Sequence, residues 1–194
     1  MNVRALAATL LLITAGSAAQ AGTIETTLGL TPSAGTVAQN SLFTVVLQLD
    51  ATSAPGAHPG LFSGEVVVNF DITKLTYNSF TLAGGLSYYL SPQVATNGNT
   101  QTVHFGFDNA PDVGTVGTFS FTAIGNPGSV AAIGLADGDP VPGSFINTVP
   151  TDQRFYPTIT GTQVTIVPAP AGLWLLGTAV GALVIRRRLR HAAA

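Results

Sequence analysis

The chain of 194 residues contains no cysteine, one methionine, one tryptophan and two glutamates, Glu25 and Glu65. Without cysteine there is no disulfide staple, no thiol nucleophile and no thiolate metal centre. A lipid-modified cysteine anchor is excluded for the same reason. Charged residues make up 8% of the chain, and Lys74 is its single lysine. With so few glutamates, a paired-carboxylate glycosidase site would have to draw on scattered aspartates. The three histidines are His58 in a proline–glycine loop, His104 on an outward strand face, and His191 near the end. No two of them have metal-ligand spacing, and neither the zinc nor the Ser-His-Asp template is met. The residues imply no cofactor and no enzymatic activity. No helical stripe is visible before residue 171.

What is present is concentrated first at the two ends. Met1-Asn2-Val3-Arg4 is a short positive segment, Ala5–Ala15 is apolar, and Ala19-Gln20-Ala21 gives a small-x-small cleavage pattern. This predicts a signal peptide over 1–21 and a mature start at Gly22. At the other end stand Val167-Pro168-Ala169-Pro170, the uncharged run Leu173–Ile185, and Arg186-Arg187-Arg188-Leu189-Arg190. The run is apolar all round, so it has no polar face for packing as a surface helix. As a core helix it would press three adjacent arginines against the domain. From Pro170 it spans only about 24 Å at about 1.5 Å per residue, and arginine stems and a thinned bilayer can cover the shortfall. It reads as a membrane-inserted helix over 171–185 with its arginines inside and the middle of the chain facing out. Gly177 and Gly181 have the spacing of a helix–helix contact.

The order Val167-Pro168-Ala169-Pro170-Ala171-Gly172-Leu173-Trp174-Leu175-Leu176-Gly177, then arginines, resembles the C-terminal sorting signal of the PEP-CTERM family. Ala169 stands where that family usually has glutamate, so the signal resembles its Val-Pro-x-Pro variant. The resemblance covers residues 168–190 and implies a Gram-negative bacterium and recognition by an exosortase-type peptidase. It further implies export across the inner membrane and delivery to the cell surface or an extracellular polysaccharide matrix. Val167, Pro168, Ala169, Pro170, Trp174, Gly177, Arg186, Arg187 and Arg188 are the residues that carry the sorting.

Between the signals, residues 22–167 are long enough for one domain. All nine acidic residues lie there against Lys74 and Arg154, a formal charge of −7 that the whole-chain value of −2 conceals. Such a surface disfavours nucleic acid and anionic membranes, while neutral glycans and divalent cations remain compatible. The pattern has period two. Phe43, Val45, Leu47 and Leu49 alternate with polar residues, as do Phe62, Val66, Val68 and Phe70, then Val103, Phe105 and Phe107, and then Phe119 and Phe121. Ile133 with Leu135, and Val164 with Ile166, continue it. Turn clusters at Pro55-Gly56, Asn97-Gly98-Asn99, Asn126-Pro127-Gly128 and Asp137-Gly138-Asp139-Pro140 punctuate the runs. About nine half-buried strands predict an all-β, antiparallel two-sheet sandwich.

Phe43-Thr44-Val45-Val46-Leu47-Gln48-Leu49, followed by Gly64–Tyr77 and then Gly117-Thr118-Phe119-Ser120-Phe121-Thr122-Ala123, resembles the strand rhythm of cohesin-like sandwich domains. That implies a jelly-roll fold shared with several carbohydrate-binding modules. Ile72 replaces the proline expected after Asp71, and Asp71 itself reads as a turn-capping residue.

Two further groups could bind. Asp137 and Asp139 flank Gly138 in a loop suited to oxygen-ligated calcium, although Asp-Gly-Asp-Pro is also an ordinary turn composition. The Asp108–Asp112 loop could add ligands only if the fold brings it close. Tyr77, Phe80, Tyr88 and Tyr89 could offer flat rings to sugars, with Tyr88 and Tyr89 on opposite faces of one strand, one in the core and one exposed. The leading expectation is therefore an exported, non-catalytic surface or matrix protein. The alternative is a carbohydrate-binding module that binds, or at the extreme hydrolyses, the exopolysaccharide.

Overall fold

The computed structural model describes residues 25–52, 62–138, 145–147, 153–155 and 157–169. The strands are β1 (Glu25–Pro32), β2 (Thr36–Ala38), β3 (Leu42–Thr52), β4 (Phe62–Asp71), β5 (Leu75–Leu82), β6 (Ser87–Asn97) and β7 (Thr100–Ala110). They continue with β8 (Val113–Ala123), β9 (Val130–Asp137), β10 (Phe145–Asn147), β11 (Gln153–Phe155), β12 (Thr158–Thr160) and β13 (Thr162–Val167). Nine of these have six or more residues, and four are three-residue pieces. Two sheets result: five strands in the order β12-β1-β3-β8-β5, and eight that include β11-β10-β4-β9-β13-β2, with β7 on the other side of β4 and β6 beyond it. The described residues form an all-β two-sheet sandwich and contain no helix.

The alternation decides which face each strand buries. Phe43, Val45, Leu47, Leu49 and Ala51 of β3 point inward, as do Phe62, Val66, Val68 and Phe70 of β4. From β7 and β8 come Val103, Phe105, Phe107, Phe119 and Phe121. Burying these side chains, at about 1.5–3 kcal/mol each, is the main force holding the sheets together. The rings make a continuous seam: Phe80 sits 4.2 Å from Phe105 and 4.3 Å from Phe119, and Phe121 meets Phe70 edge-on at 5.1 Å. Gly64 leaves its inward position to the ring of Phe145, which a Cβ there would strike.

The turns follow the residues expected of them. Asn97 pairs with Thr100 across Gly98-Asn99, and Gly98 has φ of 57°. That is the geometry a two-residue hairpin asks of glycine. Asp71 Oδ1 accepts from Thr73 N at 2.8 Å and Thr73 Oγ1 at 2.6 Å, closing the β4–β5 turn. These hydrogen bonds hold its carboxyl below the ordinary carboxylate value of 3.8.

In one respect the sandwich departs from the expected wholly antiparallel pattern. β1 runs parallel to β12, and β2 runs parallel to β13. The first and last strands each pass from one sheet to the other, β1 into β2 and β12 into β13. Lying side by side in the same direction, they can pair only in parallel.

Candidate functional site

The outer face of the eight-stranded sheet carries a polar group assembled from three strands. Glu65 of β4 lies opposite Gly106 of β7, and His104 is two residues along on the same side. His104 Nε2 pairs with Glu65 Oε1, and Tyr89 Oη donates to Glu65 Oε2 at 3.3 Å. Phe105 and Phe107 are buried in the core, so Gly106 between them faces outward. A Cβ at Gly106 would run into the phenol end of Tyr89. Tyr89 therefore lies across its neighbouring strand and is still 53% exposed. Along β4 and β7 the same face continues with Ser63 donating to Asp108 Oδ1. Asn109 N also donates to Asp108 Oδ1 at 2.9 Å, and Asn109 Nδ2 donates to Ser87 Oγ at 3.0 Å. Gln93 stands opposite His104 on β6.

The tyrosines proposed from sequence are split between two environments. Tyr89 is outward. Tyr77 packs against Phe70 at 6.4 Å and Phe121 at 6.0 Å, while Tyr88 meets Phe80 and Phe105, each at 6.4 Å. Tyr88 and Tyr89 do fall on opposite faces, but Tyr88 is 37% exposed, a packed rim residue and not a core one. β6 is an edge strand, so the five-stranded sheet covers its inner face only in part. Burial raises both phenols, Tyr77 and Tyr88, above the ordinary value of 10.0. For Tyr77 the nearby Tyr88 adds to the shift, whereas for Tyr88 a hydrogen bond with the Leu82 backbone opposes it. Phe80 is partly buried, packed on Phe105 and Phe119. No flat row of four rings forms.

Asp137 ends β9 in register with Val66, and Asp139 lies outside the described residues. Among the described residues no three His, Cys, Asp or Glu side chains group as a metal site. An open depression of about 400 Å³ lies between Ala132–Gly134 and Gly161–Gln163, and no titratable side chain lines it. Val167 closes β13 opposite Ala38, its carbonyl accepting from Gln39 N at 2.8 Å, and Pro168 and Ala169 follow. Pro170, Trp174, Gly177, Arg186, Arg187, Arg188 and the helix expected over 171–185 lie outside the described residues, as do Ala19, Ala21, Gly22, His58 and His191. Among the described residues no helix is long and apolar enough to cross a membrane.

The joining of Glu65, His104 and Tyr89 was not foreseen from sequence. Its one signal was Gly106, an isolated glycine between two core phenylalanines, which marks a close approach to a strand.

No family model matches the chain, and no curated protein sequence matches it. Solved structures do. The seventh ScaB type I cohesin from Pseudobacteroides cellulosolvens has a TM-score of 0.56 at 9% identity, covering 75% of this chain and 94% of that one. A cohesin module from a Clostridium perfringens family 33 glycoside hydrolase has a TM-score of 0.53 at 11% identity, covering 76% and 99%. A type II cohesin domain from the cellulosome of Acetivibrio cellulolyticus has a TM-score of 0.51 at 12% identity, covering 73% and 95%. At such identities the likeness is one of fold: the domain is a cohesin-like β-sandwich.

Proposed function

We propose that this chain is an exported, non-catalytic surface or matrix protein whose sandwich binds and does not react. In this reading a PEP-CTERM-like signal over 168–190 hands it to an exosortase-type peptidase, and it ends in association with exopolysaccharide. The observation that carries the binding role is the outer sheet face itself. Its polar groups, Glu65, His104, Tyr89, Ser63 and Asp108, share the outer face of one sheet above a buried apolar core, with Gly138 close beside Glu65 and His104. Polar groups spread over one sheet face, with no enclosed cleft described among them, suit contact with a large partner. A sandwich of similar fold has been solved as a cohesin in complex with a dockerin, with a TM-score of 0.50 and 14% identity, which is the same kind of role. The end of β13 at Val167, one residue before Pro168, supports a division between sandwich and signal.

Intact mass of the protein recovered from medium and membrane tests the sorting. The expected released form starts at Gly22, ends near Pro168–Pro170, and disappears in an exosortase-deficient host. Finding Arg190 and His191 in an inner-membrane form, with nothing released, would replace the sorting signal with a simple anchor. The exposed ring of Tyr89 favours the second reading, a carbohydrate-binding module.

A further inference from the structure

We propose that the outer face around Tyr89 is a subsite for one neutral pyranose unit of a polysaccharide. The proposal deepens the carbohydrate-binding reading, and uses the matrix location only to say where the protein meets sugar.

Three features converge. First, the Tyr89 ring is seated against Gly106 and half exposed. An aromatic face is the negative side of the ring quadrupole, and it attracts the slightly positive C–H face of a pyranose. Second, the ring is held in place beforehand. Gly106 lets it lie close to β7, and its hydroxyl is tethered to Glu65. Little rotamer freedom remains to be lost on binding. Third, hydrogen-bonding groups share the strands beside the ring. Glu65 and Asp108 offer carboxylate oxygens, His104 an imidazole, and Gln93 and Asn109 amides. Sugar hydroxyls donate and accept at once, so a mixed rim fits them.

Charge narrows the class further. Glu65 and Asp108 lie on this face, within a domain of formal charge −7. A uronate or sulfated sugar would meet like charge, as would nucleic acid.

The test uses the purified full-length chain in mild detergent. Probes are neutral hexasaccharides of glucose, mannose and galactose, with a uronic-acid hexasaccharide alongside, measured by titration calorimetry. At least one neutral probe is expected to bind, and the uronic-acid probe to bind more weakly. Tyr89→Ala is expected to weaken binding about tenfold or more, as loss of a central aromatic anchor does. Tyr89→Phe keeps the ring and is expected to stay within about threefold of the parent. Asn78→Ala, on the opposite sheet, leaves binding unchanged. Thermal melts of each variant establish that the fold is intact, and Glu65→Gln provides a second, isosteric variant with weaker binding expected. Binding of no neutral probe, equal affinity in folded Tyr89→Ala, or preference for the uronic-acid probe would overturn the subsite. Failure of the sorting reading is seen separately, in the masses, and leaves these titrations unaffected.

Discussion

β3 and β6 are both eleven residues long, and each pairs with an eleven-residue neighbour, β8 and β7 respectively. Their fates differ. β3 is paired on both sides, by β1 and β8, and buries five alternate side chains with one register shift. Among the described residues β6 is paired on one side, has two register shifts, and buries none. A covered strand cannot slip, because a one-residue shift would turn its whole apolar set outward. An edge strand with one uncovered flank has no such constraint, and bulges and Pro92 also blunt its free edge. The slack is what lets β6 place Tyr88 against the seam and Tyr89 on the outer face. The interior fixes the fold and holds Glu65 and His104, and the edge adds Tyr89 to them.

The largest effect is expected at the aromatic seam. Phe121 stacks on Phe43 at 5.8 Å and meets Phe70 and Tyr77 edge-on. Phe121→Ala is expected to cost about 3–5 kcal/mol through lost burial and a cavity, read as a fall in the urea midpoint at unchanged slope. A loss under about 1 kcal/mol would mean the seam is not what holds the sheets.

Next comes a pair of glycines. A Cβ at Gly117 meets the Phe80 ring and the Thr81 carbonyl, neither free to move, so Gly117→Ala is expected to cost about 1–3 kcal/mol. A Cβ at Gly106 meets the end of one exposed side chain, and Gly106→Ala is expected to cost less than about 1 kcal/mol while unseating Tyr89. Equal destabilisation in chemical denaturation would erase the distinction between core and edge.

Alkaline pH should produce a smaller effect. Tyr77 and Tyr88 have phenols raised above 10.0, so the folded state favours their neutral form. Their contribution is complete below the unfolded value and is lost as pH rises through the folded one. Urea midpoints are expected to fall between about pH 9 and 11, and to fall less in Tyr77→Phe. An unchanged slope in that variant would show that Tyr77 does not contribute to the alkaline loss.

The smallest stability change is expected for Tyr89→Ala, within about 0.5 kcal/mol. A loss comparable with that of Phe121→Ala would make Tyr89 a structural residue and not a surface one.

Alternation along the chain marks most of the long strands and the face each one buries. Every alternating set singled out, from Phe43 to Ile166, lies in a strand, and all but Leu135 are buried. Asp71 and Asn97-Gly98-Asn99 were equally legible, because turn chemistry is local and a side chain two residues away supplies the partner. The rest arises only when the strands come together. The parallel pairing of β1 with β12 joins residues far apart in the chain, and no local pattern encodes that meeting. Phe80 matched the tyrosines as an aromatic ring but packs on Phe105 and Phe119 at the edge of the core. Glu65, Tyr89 and His104 come from three strands, and what brings them together is the register between β4, β7 and β6. Periodicity reports which face a residue takes, whereas register reports whom it meets, and register is settled only when the two sheets close on a common core.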